Sequence, residues 1–335
     1  MTTTTDLALR LIIGTPAIAI ISIILGLVYK GLDRKLHARM QWRIGPPLIQ
    51  PFLDVRKLLT KQNFVPDNAI KWIYNLMPMF ALAEAISILL FIPIGNIGPI
   101  LEGSGDLILI VYLLAGPALF MAIGGFASGS PYATVGSQRE MVTMMSYEFP
   151  LGITVATVAW IISQSPVTGA PFSLGVIAAN PIWNLVNPVG GVGLLLLLIV
   201  LLAVTPAELS KIPFDVPEAE TEIAEGILSE YTGRNLAMFY LADGVKTIAM
   251  SALIVAIFFP YNLSPILGII GIPAAIVNII FFLIKIFIVM FVSVTFIRTA
   301  IARFKIDQVS KGFWYPISVM SIGGLILVTV AGGVL

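Results

Sequence analysis

The chain has no cysteine and a single histidine, His37. Without cysteine it cannot form a disulfide, present a thiol nucleophile, or hold an iron–sulfur cluster or a zinc–thiolate site. One histidine cannot supply a multi-histidine metal or haem site, and His37 is expected to be an interfacial bystander. Charge is also scarce: 11% of the 335 residues are Asp, Glu, Lys or Arg, and 58% are hydrophobic. Soluble domains carry about 25% charged residues, so this composition cannot cover a water-facing surface. The sequence also shows no nucleotide-binding glycine loop, metal-ligand cluster or nucleophile triad, and no nucleic-acid partner is expected.

What remains is apolar sequence in long runs. They fall near 9–30, 72–95, 106–124, 140–163, 188–207, 236–260, 267–297 and 313–334. Each is long enough to cross a bilayer core, which takes about 20 helical residues. Gly- and Pro-rich joins separate several of them: GNIGP at 95–99, SPVTGAP at 165–171, NPVGG at 187–191 and SPILGIIGIP at 264–273. The expected fold is an all-α integral membrane protein of about eight transmembrane helices, forming a single membrane domain over 1–335. The seventh run exceeds the bilayer core and is expected to tilt or to begin outside it. The GG pairs at 124–125, 190–191 and 323–324 are expected at helix ends or close helix contacts.

The basic residues orient this topology. Sixteen of the 19 Lys and Arg fall in alternate connections: nine from Lys30 to Lys71, then Arg139, Lys211 and Arg234, and Arg298, Arg303, Lys305 and Lys311. The intervening connections have none. The positive-inside rule places the basic connections in the cytoplasm and both termini outside, in a multi-pass protein of the cytoplasmic membrane. Arg10, Lys246 and Lys285 are the exceptions, and Arg10 is expected to snorkel outward. In the first basic loop, QPFLDVRKLLTKQ at 50–62 reads as an amphipathic helix. Phe52, Val55, Leu58 and Leu59 form one arc, with Asp54, Lys57 and Lys61 opposite. Such a helix lies in the membrane interface or packs as a connector on the bundle.

The acids are the most informative residues. Eight of the 18 carboxylates lie between Glu208 and Asp243. Asp215 followed by Glu218 reads as a helix N-cap box with Pro217 in the first turn. The helix after it would place Glu218, Glu222 and Glu225 on one face, with Glu220 pointing elsewhere. Crowded in a poorly solvated place, such acids repel one another and exchange protons near neutral pH; in a solvated loop they only complement a helix N-terminus. Other acids fall within apolar runs: Glu84, Glu140, Glu148 and Glu208. Asp243 and Lys246, three residues apart, can pair on one helix face, and Lys285 needs an acidic partner. A charge at mid-bilayer costs about 2.5–3.5 kcal/mol. Several such residues therefore point to an ion or proton pathway, with structural ion pairing as the alternative. Arg34, Lys35, Arg39 and Arg43 follow the first span directly and are adequate as topological anchors. The rigid IGPP turn at 44–47 adds the idea of a contact surface for a soluble partner.

Four blocks of sequence carry a family resemblance: LDRKLHARMQWRIGPPLIQPFLDVRKLLTK at 32–61, GGFASGSPYATVGSQREMVTMMSYEFPLG at 124–152, AELSKIPFDVPEAETEIAEGILSEYTGRNLAMFYLAD at 207–243 and RTAIARFKIDQVSKGFW at 298–314. Together they resemble the membrane subunit that joins the peripheral arm to the membrane arm in respiratory complex I, a family shared with energy-converting membrane-bound [NiFe] hydrogenases. Two features depart from the quinone-reducing branch. The turn Gly45-Pro46-Pro47 reaches Gln50-Pro51 after only Leu48 and Ile49, and Lys211 stands where that branch has Arg. The short loop looks like the ferredoxin-linked hydrogenase branch.

The resemblance implies a subunit with no redox centre of its own, with Ni–Fe and iron–sulfur clusters on its partners. Those partners would be a hydrogenase-like large subunit, an iron–sulfur small subunit, antiporter-like membrane subunits and the lipid bilayer. It implies Glu148, Glu208, Glu218, Glu220, Glu222, Glu225, Glu230 and Asp243 as relay candidates. To these, Glu84, Glu140, Asp215, Lys246 and Lys285 are added from their positions. Arg34, Lys35, Arg39, Arg43, Asp54 and Arg139 would shape or form the peripheral-arm interface. Neutralising Glu148 or Glu222 is expected to uncouple ion movement, and charge reversal at Arg39 and Arg43 to release the peripheral module. A quinone-reducing complex and an autonomous transporter are the other readings; the latter predicts paired repeats, and none is seen.

Overall fold

The computed structural model describes residues 4–330, with side chains from residue 11 onward; the side chain of Arg10 lies outside the described residues. Helices dominate, and no strand occurs among the described residues beyond one isolated bridge between Ile94 and Ile97. In chain order they are α1 (Thr4–Met40), α2 (Gln50–Thr60), α3 (Lys71–Leu89), α4 (Asp106–Ala127), α5 (Pro131–Gln164), α6 (Leu174–Ala179), α7 (Pro188–Glu208), α8 (Glu220–Ile223), α9 (Gly233–Phe258), α10 (Ser264–Leu267), α11 (Ile272–Met290), α12 (Ile297–Ala300), α13 (Ile306–Gly312) and α14 (Ser318–Val330). A π-helical segment, Phe291–Phe296, joins α11 to α12, and another, Phe313–Ile317, joins α13 to α14. Eight of the resulting helices are long and apolar enough to cross a membrane.

Two helices are longer than the apolar runs within them. α1 continues to Met40, ten residues beyond the run that ends near Lys30, and α5 begins at Pro131 rather than near Glu140. At 1.5 Å per residue, α1 is about 55 Å long and α5 about 50 Å, against a bilayer core of roughly 30 Å. Both therefore run on past the core on the side of the basic loops. The seventh run loses its first residues to the turn around Gly268 and Gly271, so its helix starts at Ile272.

α9 is the centre of the bundle. Its most apolar window is 89% buried, whereas that of α1 is 17% buried. A helix apolar on all sides belongs inside others, and α9 packs against α1, α3 and α11. Close approaches use glycine. A Cβ on Gly26 of α1 would lie 2.8 Å from the Gly244 carbonyl carbon of α9. Where α7 crosses α14, a Cβ on Gly193 would lie 2.7 Å from the Gly324 carbonyl oxygen. Small residues at such crossings let helix backbones touch.

One expectation about the basic loops holds and one is corrected. α2 forms as expected and packs on α9 and α1 through Pro51 and Val55, with Leu59 57% exposed, outside the buried face. Asp54 turns towards α1, where it accepts from Arg34 at 2.8 Å and from Gln50 at 2.9 Å. No helix follows Asp215. Pro213 and Pro217 lack N–H groups and hold the residues before them extended, so 209–219 is irregular, with a cis Ile212–Pro213 bond. The single turn α8 forms instead, ended by Ala224 and Glu225 in left-handed conformation and followed by a 3-10 turn at Gly226–Leu228. Asp215 caps nothing; it receives Arg303 at 2.8 and 2.5 Å. Glu218, Glu222 and Glu225 consequently share no helix face.

Candidate functional site

The irregular 209–219 segment lies against α5, α7 and α9 and borders a half-open cavity of about 190 Å³. Glu140, Glu208, Lys211, Glu218, Asp243 and Lys246 line it, with Ser210 and Tyr240. Helix geometry sets each position. Glu140 is two to three turns into the projecting start of α5, buried at 1% exposure. Glu208 is the last residue of α7, and Asp243 and Lys246 follow each other by one turn of α9. Glu218 reaches in from the loop.

The charges pair differently from the expected Asp243–Lys246 contact. The Lys246 ammonium lies 2.8 Å from Glu208 Oε1 and donates to the Glu208 backbone carbonyl at 2.7 Å. Asp243 instead receives two lysines on one oxygen: Lys211 at 2.7 Å and Lys30 at 2.7 Å. Lys30 also donates to the Tyr240 carbonyl at 2.6 Å and stands 3.5 Å above the Tyr240 ring. On a helix, i and i+3 face the same side, but here other elements bring a partner to each charge first. Ser210 donates to Glu140 at 3.3 Å. Lys246 is the cation whose charge acts on Glu84, Glu140, Glu148 and Glu208 together.

Glu218 has no ion-pair partner among the described residues. Burial pushes its carboxyl up to about 7; Lys211 and Lys30 oppose the rise, and Asp243 and Asp215 add to it. For Lys211, burial favours the neutral amine, but Asp243 and Glu218 outweigh it and hold the ammonium above its ordinary range. The Tyr240 hydroxyl and one Glu84 oxygen are buried without a hydrogen-bond partner among the described residues. Charged and polar groups share the lining with apolar side chains such as Met121, Leu228, Leu236 and Phe239, and the space accommodates several water molecules.

Two further acids extend the series into the bundle. Glu84 lies one turn from Ala81, which lines the cavity, and its carboxylate occupies the space where a Gly116 side chain would be. Glu148 lies two turns along α5 from Glu140, about 12 Å by helical rise, partly buried and within electrostatic reach of Glu208.

The other expected site residues lie elsewhere. Glu220, Glu222 and Glu225 are exposed on the loop, with Glu222 paired to Arg139 at 2.5 Å. The Glu230 carbonyl accepts the Tyr74 hydroxyl at 2.6 Å, and its side chain does not line the cavity. Lys285 has no acidic partner among the described residues; its ammonium donates to the Phe259 and Tyr261 carbonyls at 2.7 and 2.9 Å, beyond the C-terminus of α9. Unsatisfied carbonyls and a negative helix end suit a cation there. Lys35 and Arg39 flank the end of α1, Arg39 exposed. His37 Nδ1 is 2.9 Å from Thr299 Oγ1. Burial of Asp54 is outweighed by its bonds from Arg34 and Gln50, which hold its carboxyl below the usual range.

Sequence reading missed Lys30, Ser210 and Tyr240 as site residues and noted Lys211 as a topological charge and as the replacement for the Arg of the quinone-reducing branch, not as a partner of Asp243. A signal for Lys30 was present: no Gly-Pro break follows it before Gly45, so α1 continues and keeps Lys30 on a helix face. Among the described residues there is no group of three or more His, Cys, Asp or Glu that could hold a metal ion.

A multi-pass helical membrane protein with a half-open cavity, lined by paired charges and apolar side chains, against the first half of its central helix is thereby defined. Sequence comparison assigns its family. The profile of the NADH dehydrogenase family matches residues 13–329, and the chain belongs to that family. It is 30% identical over 329 residues to an NADH-quinone oxidoreductase subunit of Rhizobium etli, covering 93% of this chain and 91% of the relative. It is 33% identical over 255 residues to hydrogenase-4 component C of Escherichia coli, covering 75% and 76%. Among solved structures, a chain of the membrane-bound sulfane sulfur reductase, an archaeal respiratory membrane complex, superposes with a TM-score of 0.78 at 28% identity, covering 94% of this chain and 100% of that one. The protein is thus a membrane subunit of the complex I-like and membrane-bound hydrogenase type. In that family the redox cofactors sit on partner subunits.

Proposed function

We propose that this subunit anchors a ferredoxin-linked peripheral redox module and couples its chemistry to proton or sodium movement through the membrane. The observation that carries the reading is the chamber: Glu218, Glu140 and Glu208 meet there, and Glu84 and Glu148 continue the series into the bundle. A group such as Glu218, titrating at about 7, both takes up and releases a proton under ordinary conditions. The lysines Lys30, Lys211 and Lys246 offset the charge, so protons can redistribute without leaving several bare carboxylates together.

In this reading the basic loops lie in the cytoplasm and the protein sits in the cytoplasmic membrane, termini outward. Exposed Arg39, half-buried Lys35 and the Arg139–Glu222 pair face a hydrogenase-like large subunit and an iron–sulfur small subunit carrying the Ni–Fe and iron–sulfur clusters. Arg34 and Asp54 hold α2 against α1. Antiporter-like membrane subunits receive the relay laterally.

A quinone-reducing role is the second reading, favoured by relatives such as the Rhizobium etli protein. Two features support the hydrogenase-type reading over it: the short Gly45-to-Gln50 turn, and a cavity of about 190 Å³, smaller than the roughly 300 Å³ that a site for an organic molecule takes. The test is to purify the native complex, measure nickel and iron–sulfur content, and follow acidification or sodium uptake by proteoliposomes on adding reduced ferredoxin. A nickel-containing module with ferredoxin-driven ion uptake supports the proposal. Quinone-dependent turnover with ferredoxin-independent uptake overturns it.

A further inference from the structure

Glu84 stands apart from the paired charges of the chamber. No ion pair holds it among the described residues. Its Oε2 is buried and receives no hydrogen bond among them. The cation whose charge acts on it is Lys246, and that ammonium already lies 2.8 Å from Glu208 Oε1.

The Glu84 carboxyl takes the place of a side chain that α4 lacks. A Cβ on Gly116 would coincide with the Glu84 carboxyl atoms. A helical side chain leans back over the preceding turn, towards the carbonyls three and four residues earlier. For Gly116 these belong to Leu113 and Tyr112. In a regular helix the Tyr112 carbonyl accepts from the Gly116 N–H, and the Leu113 carbonyl accepts from the residue after it. That residue is Pro117, which has no N–H to give. The Glu84 carboxyl therefore lies over a carbonyl that its own helix leaves without a donor.

A carboxylate in that position sets a charged oxygen against a carbonyl oxygen, with no donor for either. A carboxylic acid satisfies both, because its hydroxyl donates and the Leu113 carbonyl accepts. It also avoids the cost of a charge within the bilayer. We propose that Gly116 and Pro117 form a niche that holds Glu84 as a neutral acid, with Gly116 as the positioning residue. In the relay reading, on which this role rests, Glu84 is then a proton reserve at the side of the chamber. Ala81, one turn before it on α3, lines the chamber together with Pro117 and Ala118. While Lys246 stays on Glu208 the proton stays on Glu84. A turn of that ammonium towards Glu84 favours the ionised form and releases the proton to chamber water.

The experiment uses the intact purified complex as wild type, Glu84→Gln, Gly116→Ala, Pro117→Ala and the control Gly323→Ala on α14, where an added Cβ would meet no atom within 4 Å. Infrared spectra at about pH 8, where ordinary carboxyls are ionised, read the carbonyl stretch of acids that remain protonated. Wild type and Gly323→Ala should share a band that Glu84→Gln removes. Gly116→Ala evicts the carboxyl and should remove or shift the same band. Pro117→Ala restores an N–H to the Leu113 carbonyl and should shift it, and it decides alone if Gly116→Ala fails to assemble. A Glu84→Gln spectrum identical to wild type overturns the proposal, because Glu84 is then ionised. So does a band that neither Gly116→Ala nor Pro117→Ala moves. Ion uptake per electron on the same samples tests the relay separately: normal uptake by Glu84→Gln, with the band changes as expected, supports the niche and removes Glu84 from the relay.

Discussion

Glu218→Gln isolates what the chamber does. The carboxyl is lifted from its ordinary 4.5 to about 7, chiefly by burial, which corresponds to about 3 kcal/mol against the ionised form. The sign follows from linkage. The folded protein holds this proton more tightly than the unfolded chain, so the penalty is absent below the unfolded value. It grows between 4.5 and about 7 and is complete above that. Glutamine carries no charge at any pH. The variant complex should therefore resist heat better than wild type at about pH 8, by several degrees at most, with the advantage fading towards about pH 5. It should also lose coupled ion uptake, because glutamine cannot pass a proton. Heat-inactivation midpoints at the two pH values and uptake by proteoliposomes give the two readouts. An advantage of equal size at both pH values would refute the burial argument, and undiminished uptake would remove Glu218 from the relay.

The other predictions address the remaining charges. Lys246→Met strips the buried Glu208 of its cation and should destabilise the complex by about 3–5 kcal/mol; adding Glu208→Leu should recover part of that, and a thermal-shift double-mutant cycle showing simple additivity would deny the pair. Glu148→Gln should leave assembly intact while reducing ion uptake per electron; wild-type coupling in proteoliposomes would count against it. Glu222→Gln, by contrast, frees Arg139 at the surface and should affect retention of the peripheral subunits more than pumping, which co-purification and uptake assays separate. Arg39→Glu, at the exposed end of α1, should release the peripheral module on purification, and full retention would contradict the proposed docking face.

The spans were legible because apolar length is a property of local sequence. The charge pairs were not, because each depends on which other helix arrives first. Asp243 and Lys246 have the right spacing to pair, yet Glu208 ends α7 beside Lys246 while Lys30 and Lys211 reach Asp243 from α1 and the loop. Lys285 was expected beside an acid and instead meets bare carbonyls beyond α9. Both outcomes turn on helix ends and crossings, such as the Gly26–Gly244 approach that draws α1 against α9 and Lys30 towards Asp243. Residue spacing alone carries no information about them.

The irregular 209–219 segment explains why the chamber exists at all. A regular helix there would have satisfied its own backbone and packed flat against the bundle. Pro213 and Pro217 forbid that, and irregular backbone at the edge of a membrane is tolerable only where other groups or water satisfy it. Here Arg303 fastens Asp215, the Phe304 N–H donates to the Pro213 carbonyl at 3.0 Å, and Arg139 reaches the Val216 carbonyl at 3.5 Å. These ties come from the third and seventh connections, and the third, with Arg139, is proposed to face the peripheral module. A shift of that module against Arg139 would pass directly to the segment carrying Lys211 and Glu218, which Arg303 also holds, and so to the charge balance around Asp243. Arg303→Lys tests this route: it keeps the positive charge but loses the two-pronged grip on Asp215. It should lower ion uptake per electron while leaving electron transfer and subunit content unchanged, and unaltered coupling would mean the segment is only a lining.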